Sequence, residues 1–368
     1  MSGLCFASWA SRIPDIQRHL QLNEGQLGSV LFALPVGSML CLPISGVLVT
    51  KFSSRLVMIF GTIFYACLLC SIGLVTSTWQ LVSILFFFGM TGNLMNISMN
   101  TQAVGVEILY KRSVMASFHG LWSLAGFSGA ALGTFLVARN ISPLFHFILV
   151  GLLIILLIII VFRFALKQDM QQEKKQSLFT LPHKSLVNLG IISFCCMACE
   201  GCMFDWSGIY FRKEVHAPDN LVTVGYTVFM ATMASGRFIA DRLVTKLGLK
   251  TTLQISGTLI ASGLSVAVIF PDFYMATAGF FLTGLGVSSV VPLVYGLAGK
   301  SKVMNPSMAL AAVSTIGFLG FLFGPPVIGY IAQALNLRWS FGLMAILGFG
   351  TALLASKAEE ATAAPVIV

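Results

Sequence analysis

The chain has 368 residues, of which 57% are hydrophobic and only 10% charged, with a net charge of +9; a soluble domain carries roughly 25% charged residues. So few ionisable side chains cannot coat a soluble fold of this length, and a mean hydropathy of +0.91 excludes disorder and collagen-like composition. The apolar residues run continuously, which excludes a β-barrel, and the basic residues lie singly or in pairs between the runs, which argues against nucleic acid. The fold class expected is an all-α polytopic membrane protein.

A spanning helix needs about 20 mostly apolar residues. Residues 1–10 are an apolar piece too short to cross, without the basic start of a signal peptide. A loop is expected over 12–24. Uncharged stretches follow at 25–50, 56–106, 113–138, 140–162, 185–199, 220–236, 251–271, 273–299, 303–337 and 339–356. The second holds two spans, broken at Thr76-Ser77-Thr78; the 185 stretch runs on through Glu200 and Asp205 to about Tyr210, and the 220 stretch continues past Arg237. That predicts eleven full spans besides the short first piece.

With the 12–24 loop outside and the sides alternating, sixteen of the 22 basic residues fall on one side; Arg12, Arg18, Arg139, Arg212, Lys213 and Arg338 fall on the other. The positive-inside rule makes the richer side cytoplasmic. The chain ends and the polar linker 167–184 are then cytoplasmic, in a bacterial-type inner membrane. The linker divides an N-terminal half, 1–166, from a C-terminal half, 185–368.

The halves repeat. Leu48-Val49-Thr50-Lys51 recurs as Leu243-Val244-Thr245-Lys246 at an offset of 195, Gly61-Thr62 as Gly257-Thr258 at 196, Cys5 and Trp9 as Cys202 and Trp206 at 197, and Gly126-Phe127 as Gly320-Phe321 at 194. Two like-oriented six-helix halves describe the parallel repeat of a secondary transporter. The helix expected from about residue 185 starts about twenty residues before Trp206, so the first helix is expected to be truncated here and to continue upstream of Met1 by about a dozen residues. Both chain ends count as cytoplasmic in that reading.

The turns after Gly46 and Gly236 resemble the loop signature of the major facilitator superfamily. The first copy is Gly46-Val47-Leu48-Val49-Thr50-Lys51-Phe52-Ser53-Ser54-Arg55; the second carries Arg237, Asp241, Arg242, Lys246, Gly248 and Lys250. Thr50 and Thr245 stand where the family usually has aspartate, and Ser53 replaces a glycine. The stretches 8–16, 99–107, 118–133, 200–210 and 320–329 look like the YbjJ-like branch of that family. The resemblance implies a bundle of about 12 transmembrane helices and transport of a small solute; it carries over no substrate.

Candidate site residues follow from polar groups in apolar surroundings. Asn93, Asn96, Asn100 and Glu107 are spaced 3, 4 and 7 apart and share one helix face. Facing lipid would be costly, so the three amides either bond between helices or form a polar wall for substrate. His119 and Trp122, one turn apart, fit an interfacial belt or the same substrate wall. Gly120, Gly126, Gly129 and Gly133 offer a small-residue face. Glu200 and Asp205 are the acids deepest in any span, and intramembrane acids point to proton relay, Glu200 ahead of Asp205. Asp241 with Arg237 and Arg242 reads as a charge cluster at a helix end. Gly324-Pro325-Pro326 is expected to kink or break its helix.

Of the eight cysteines, Cys195, Cys196, Cys199 and Cys202 have CxxC spacing, but on a buried helix that reads as small-residue packing, so no metal and no cofactor is expected. Gly299-Lys300-Ser301 lacks the earlier glycine of a phosphate loop, where Val294 stands, and no catalytic motif occurs, so no enzyme is expected. The function expected is secondary active transport by alternating access, as proton symport of a small polar solute such as a sugar. The alternatives are proton-driven efflux of drugs or metabolites, through a pocket lined by some of the 30 Phe and 16 Met, and a transporter-like sensor without flux. The partners expected are a small-molecule solute, protons and the lipid bilayer, with no nucleic acid; a monomer suffices.

Overall fold

The computed structural model describes residues 1–111, 115–167, 169, 184–301 and 305–357. Most of the linker, 168 and 170–183, lies outside the described residues, as do the last eleven. Thirteen α-helices and no strand occur among the described residues. The first half holds α1 (Ser2–His19), α2 (Glu24–Leu31), α3 (Ala33–Phe52), α4 (Ser54–Ile72), α5 (Thr78–Tyr110), α6 (Met115–Ala138) and α7 (Pro143–Val161). The second holds α8 (Lys184–Lys213), α9 (Val224–Leu247), α10 (Leu249–Ile269), α11 (Phe273–Ala298), α12 (Pro306–Ala334) and α13 (Leu337–Leu354).

Helix starts are written locally. The Asn23 side chain accepts from the Gln26 N–H while the Gln26 side chain accepts from the Asn23 N–H, a reciprocal capping box. Ser77, Ser142, Asp272 and Asn336 cap α5, α7, α11 and α13, and Pro143 occupies the first turn of α7, where a missing N–H costs nothing. The expected break at Thr76-Ser77-Thr78 falls where α5 begins.

Among the described residues, ten helices are long and apolar enough to cross a membrane, with α2 and α3 counting together as Glu24–Phe52. The eleven spans read from sequence included α9, which misses that standard because Arg237, Asp241, Arg242 and Lys246 crowd its second half. The first helix needs a larger correction. It does not stop at residue 10 but continues through Arg12, Pro14 and Asp15 to His19, leaving a short connection before Glu24 in place of a 12–24 loop. Arg12 and Asp15, one turn apart, neutralise each other at 2.9 Å, so a charge that reads as a loop residue is carried inside the helix. Of the kink or break expected at Gly324-Pro325-Pro326, the break does not occur: α12 runs as one helix through Pro325 and Pro326. Tertiary packing can hold a helix whose missing N–H groups leave two carbonyls without their usual donors.

The chain divides into two compact units: residues 1–174 with 219–223, and 175–218 with 224–368. Each packs its helices in the same order. In the first, α6 lies against α1, α3 and α4 against α5, and α7 against α4 and α1. In the second, α12 lies against α8, α9 and α10 against α11, and α13 against α10 and α8. The sequence repeat is therefore a structural repeat. The α3–α5 crossing depends on glycine: a β-carbon on Gly37 would collide with the Phe86 carbonyl, and one on Gly89 with that of Leu34.

The repeat extends to single dihedrals. Ser53, between α3 and α4, has φ 71° and ψ 147°; Gly248, 195 positions later between α9 and α10, has φ 81° and ψ 160°. Only glycine enters this region freely. The glycine of the family signature is thus a backbone requirement, met in the second half and violated by Ser53 in the first.

Candidate functional site

In the second unit, α8 carries both intramembrane acids. Glu200 is 7% exposed and its Oε1 lies 3.5 Å from Nη2 of Arg237 on α9. Asp205 is half-buried, and among the described residues no ion pair or hydrogen bond reaches its carboxylate. The buried Tyr226 hydroxyl, also without a partner among them, lies within electrostatic range of Asp205. The sequence reading separated the two acids by depth; the structure separates them by partner. The Asp241 side chain lies outside the described residues. The four clustered cysteines are buried thiols, with Cys199 donating to the Met344 carbonyl at 3.2 Å on α13, which joins α8 to its neighbour.

In the first unit the asparagine stripe divides. Asn93 is buried and its Oδ1 accepts from Ser45 Oγ on α3 at 2.8 Å, a bond between helices. Asn96 is exposed, and Asn100, half-buried, reaches its Oδ1 at 3.5 Å while keeping its own Oδ1 buried and unbonded among the described residues. Asn96 and Asn100 are thus the members of the stripe that no hydrogen bond ties to another helix among the described residues. His119 is exposed and Trp122 half-buried on α6. The small-residue face of α6 packs on α1, since a β-carbon on Gly133 would strike Ser11 and one on Gly3 the Trp122 carbonyl.

At the signature loop of the first half, Gly46 and Lys51 are exposed and Arg55 donates from Nη2 to the Phe162 carbonyl at 3.2 Å. An acid from the linker lies at this turn. Asp169 accepts from the Ser54 N–H at 2.8 Å and from the Ser54 hydroxyl, at the first turn of α4, where a helix favours a negative charge. Gln102 of α5 closes the network, donating to Ser54 Oγ at 2.6 Å and to the Leu166 carbonyl at 3.1 Å. In the second half Arg242, Lys246 and Gly248 are exposed. Gly324 of α12 is open to small additions, its nearest foreign atom being the Ala198 carbonyl at 4.0 Å.

A third cluster escaped the sequence reading. Arg12 is 2% exposed; its Nε donates to His146 Nδ1 on α7 at 3.1 Å and its Nη1 pairs with Asp15. Asp15 also lies 3.5 Å from Arg18, which in turn pairs with Asp219 at 3.0 Å. Residues 219–223 join the first unit here, held a second time where Thr134 Oγ1 donates to the Thr223 hydroxyl at 2.8 Å. The available signal was the i, i+3 spacing of Arg12 and Asp15, which a loop assignment concealed.

The sequence matches the profile described as Major Facilitator Superfamily over residues 1–300 and 189–365. An uncharacterized MFS-type transporter of Yersinia pestis is 32% identical over 347 residues, covering 94% of this chain and 90% of that protein. Among solved structures, the nucleoside transporter NupG superposes with a TM-score of 0.72 at 14% identity, and the Escherichia coli fucose:proton symporter FucP with 0.63 at 15%, each comparison covering 98% of both chains.

Proposed function

This chain belongs to the major facilitator superfamily, whose members are membrane transporters and not enzymes, and on that premise we propose that it is a secondary active transporter that takes up a small polar solute, such as a sugar, together with protons by alternating access. It works as a monomer in the inner membrane with both chain ends cytoplasmic. One observation carries the coupling: Asp205, deep in α8, has no charge partner among the described residues, whereas Glu200 is paired with Arg237. A carboxyl without a cation can gain and lose a proton without breaking an ion pair, and an intramembrane acid is a functional group by default. That moves the leading coupling role from Glu200 to Asp205. Asn96 and Asn100, with His119 and Trp122, supply the polar and aromatic groups for the solute.

The test is uptake of a labelled compound panel into proteoliposomes with and without an imposed proton gradient. For a compound that enters, Asp205→Asn is expected to exchange it across equal concentrations but not to accumulate it. Glu200→Gln is expected to lower the yield of folded protein, because it removes the carboxylate that lies 3.5 Å from the Arg237 guanidinium. Accumulation by Asp205→Asn equal to that of the parent removes Asp205 from the coupling step; accumulation only against an outward-directed proton exchange makes the protein an efflux antiporter.

A further inference from the structure

One corner of the first unit carries positive charge that the protein does not pair. Three spans have an end there: Glu24–Phe52 and Pro143–Phe164 their last residues, Ser54–Ile72 its first. Side chains at span ends lie at headgroup depth. The three ends are joined. Lys51 and Phe52 close α3 just before the Ser53 turn, and Arg55 in the first turn of α4 donates from Nη2 to the Phe162 carbonyl at 3.2 Å. Phe162 opens the short 3-10 turn Phe162–Phe164 that follows α7. Each cation lies along an exposed ring: Lys51 Nζ is 5.3 Å from the Phe52 centroid, Arg55 Cζ 5.5 Å from that of Phe162, and Arg163 Cζ 4.8 Å from that of Phe164. A ring face attracts a cation at this range, so the three charges are held along the surface.

Among the described residues no ion pair reaches Lys51, Arg55, Arg163 or the exposed Lys167. The acid at this corner, Asp169, is engaged by the N–H and hydroxyl of Ser54. Even at full charge it leaves four cations against one anion. On α5, Glu107 and Lys111, one turn apart, cancel in charge. The positive-inside rule does not account for this make-up. The repeat-related corner of the second unit is also basic, with Lys246 and Lys250 at the positions of Lys51 and Arg55. There Leu247 stands in place of Phe52, and Ala355 and Ser356 open the turn after α13 where the first unit has Phe162 and Arg163. The rings and both arginines thus belong to the first corner and not to the topology. A guanidinium presents a planar fork of five N–H donors that matches phosphate oxygens, and Arg55 uses one of its own on Phe162.

We propose that this corner binds the phosphate headgroup of an anionic phospholipid. Arg55 and Arg163 take the phosphate oxygens, Lys51 and Lys167 add charge, and the rings of Phe52, Phe162 and Phe164 rest against the upper acyl chains. Charge and depth both select this occupant: a basic cluster at the ends of spans attracts anionic lipid, and exposed rings beside it suit a partner that is apolar below its phosphate. The site is separate from the α8 acids and the asparagine stripe, and it stands whether or not Asp205 couples transport.

The test uses the full chain in a neutral detergent and needs no transported solute. Native mass spectrometry follows the lipid retained as phosphatidylglycerol or phosphatidylcholine is titrated in, with inorganic phosphate as a competitor in a third series. The parent is expected to hold one phosphatidylglycerol more tightly than any phosphatidylcholine, and inorganic phosphate should not displace it. Arg55→Gln with Arg163→Gln should weaken that lipid by about 25-fold, or about fivefold for each basic residue removed near the surface. Lys250→Gln, at the repeat-related corner, should leave it unchanged. Arg163 makes no hydrogen bond or ion pair among the described residues, so Arg163→Gln alone, with about fivefold expected, decides the matter if the double variant does not fold. Four results each overturn the proposal: equal retention of the two lipids by the parent, displacement by inorganic phosphate, Arg163→Gln binding as the parent does, or a loss in Lys250→Gln as large as that in Arg163→Gln.

Discussion

The junction of α1 with α7 and that of α8 with α13 are repeat partners, yet they are made of opposite materials. In the second unit the junction is aromatic. Tyr210 lies against Phe341 with ring centroids 4.3 Å apart, Phe280 stacks on Phe341 at 5.8 Å, and the Tyr210 hydroxyl donates to the Ala267 carbonyl at 2.7 Å. In the first unit Arg12 and His146 meet instead, with Asp15 beside them. The same helix packing therefore accepts either a dry aromatic layer or a charged cluster. In the aromatic layer the phenylalanine rings carry no charge to change, and the Tyr210 hydroxyl is spent on the Ala267 carbonyl. The charged layer joins its helices through a guanidinium that donates to a buried imidazole and pairs with a carboxylate.

Substitutions in the two junctions should break this contrast most visibly. Phe341→Ala is expected to destabilise the second unit by about 3–5 kcal/mol, as for other buried aromatics, with no dependence on pH. Arg12→Met should cost the first unit a similar amount, about 3–5 kcal/mol, because removing one partner of a buried pair strands the other. Adding His146→Phe to Arg12→Met makes the first junction resemble the second, and most of the lost stability should return. Denaturant titration in detergent micelles at two pH values reads all three. If the double variant is as unstable as Arg12→Met alone, the polar junction contributes packing that an aromatic ring cannot replace.

A smaller effect sharpens the comparison of the two signature loops. Gly248→Ala places a β-carbon at φ 81° and should cost about 1–3 kcal/mol. Ser53→Gly relieves the same conformation in the first half and should raise stability by about 1 kcal/mol. Melting temperatures that shift in opposite directions check the pair; a loss on Ser53→Gly means that the serine supplies something beyond its backbone. The smallest effect is expected at Asp219. The Arg18 and Asp219 side chains are 56% and 61% exposed, so Asp219→Asn should change stability by less than about 1 kcal/mol, and less still at high salt.

Composition and apolar run length alone determined that this is a helical membrane protein, because lipid requires about 20 apolar residues per span and every backbone bond satisfied within the helix. Four short identities at nearly constant offset were enough to reveal the repeat, since corresponding helices meet corresponding neighbours; Ser53 and Gly248 show that register held to the residue. Helix membership of charged residues was not legible. Arg12 read as a loop because a hydropathy argument weighs a charge singly, whereas its cost in the protein depends on Asp15 one turn away and His146 134 positions along. The acids of α8 were visible as acids, but whether each had a partner depended on Arg237 reaching Glu200 from another helix. The spacing of the asparagines was legible, but only the position of α3 decided that Asn93 is spent on Ser45 while Asn96 is exposed. Spacing along a chain reports which side chains share a face; which groups that face meets is a property of packing between distant segments, and partners, not positions, set what a buried charge can do.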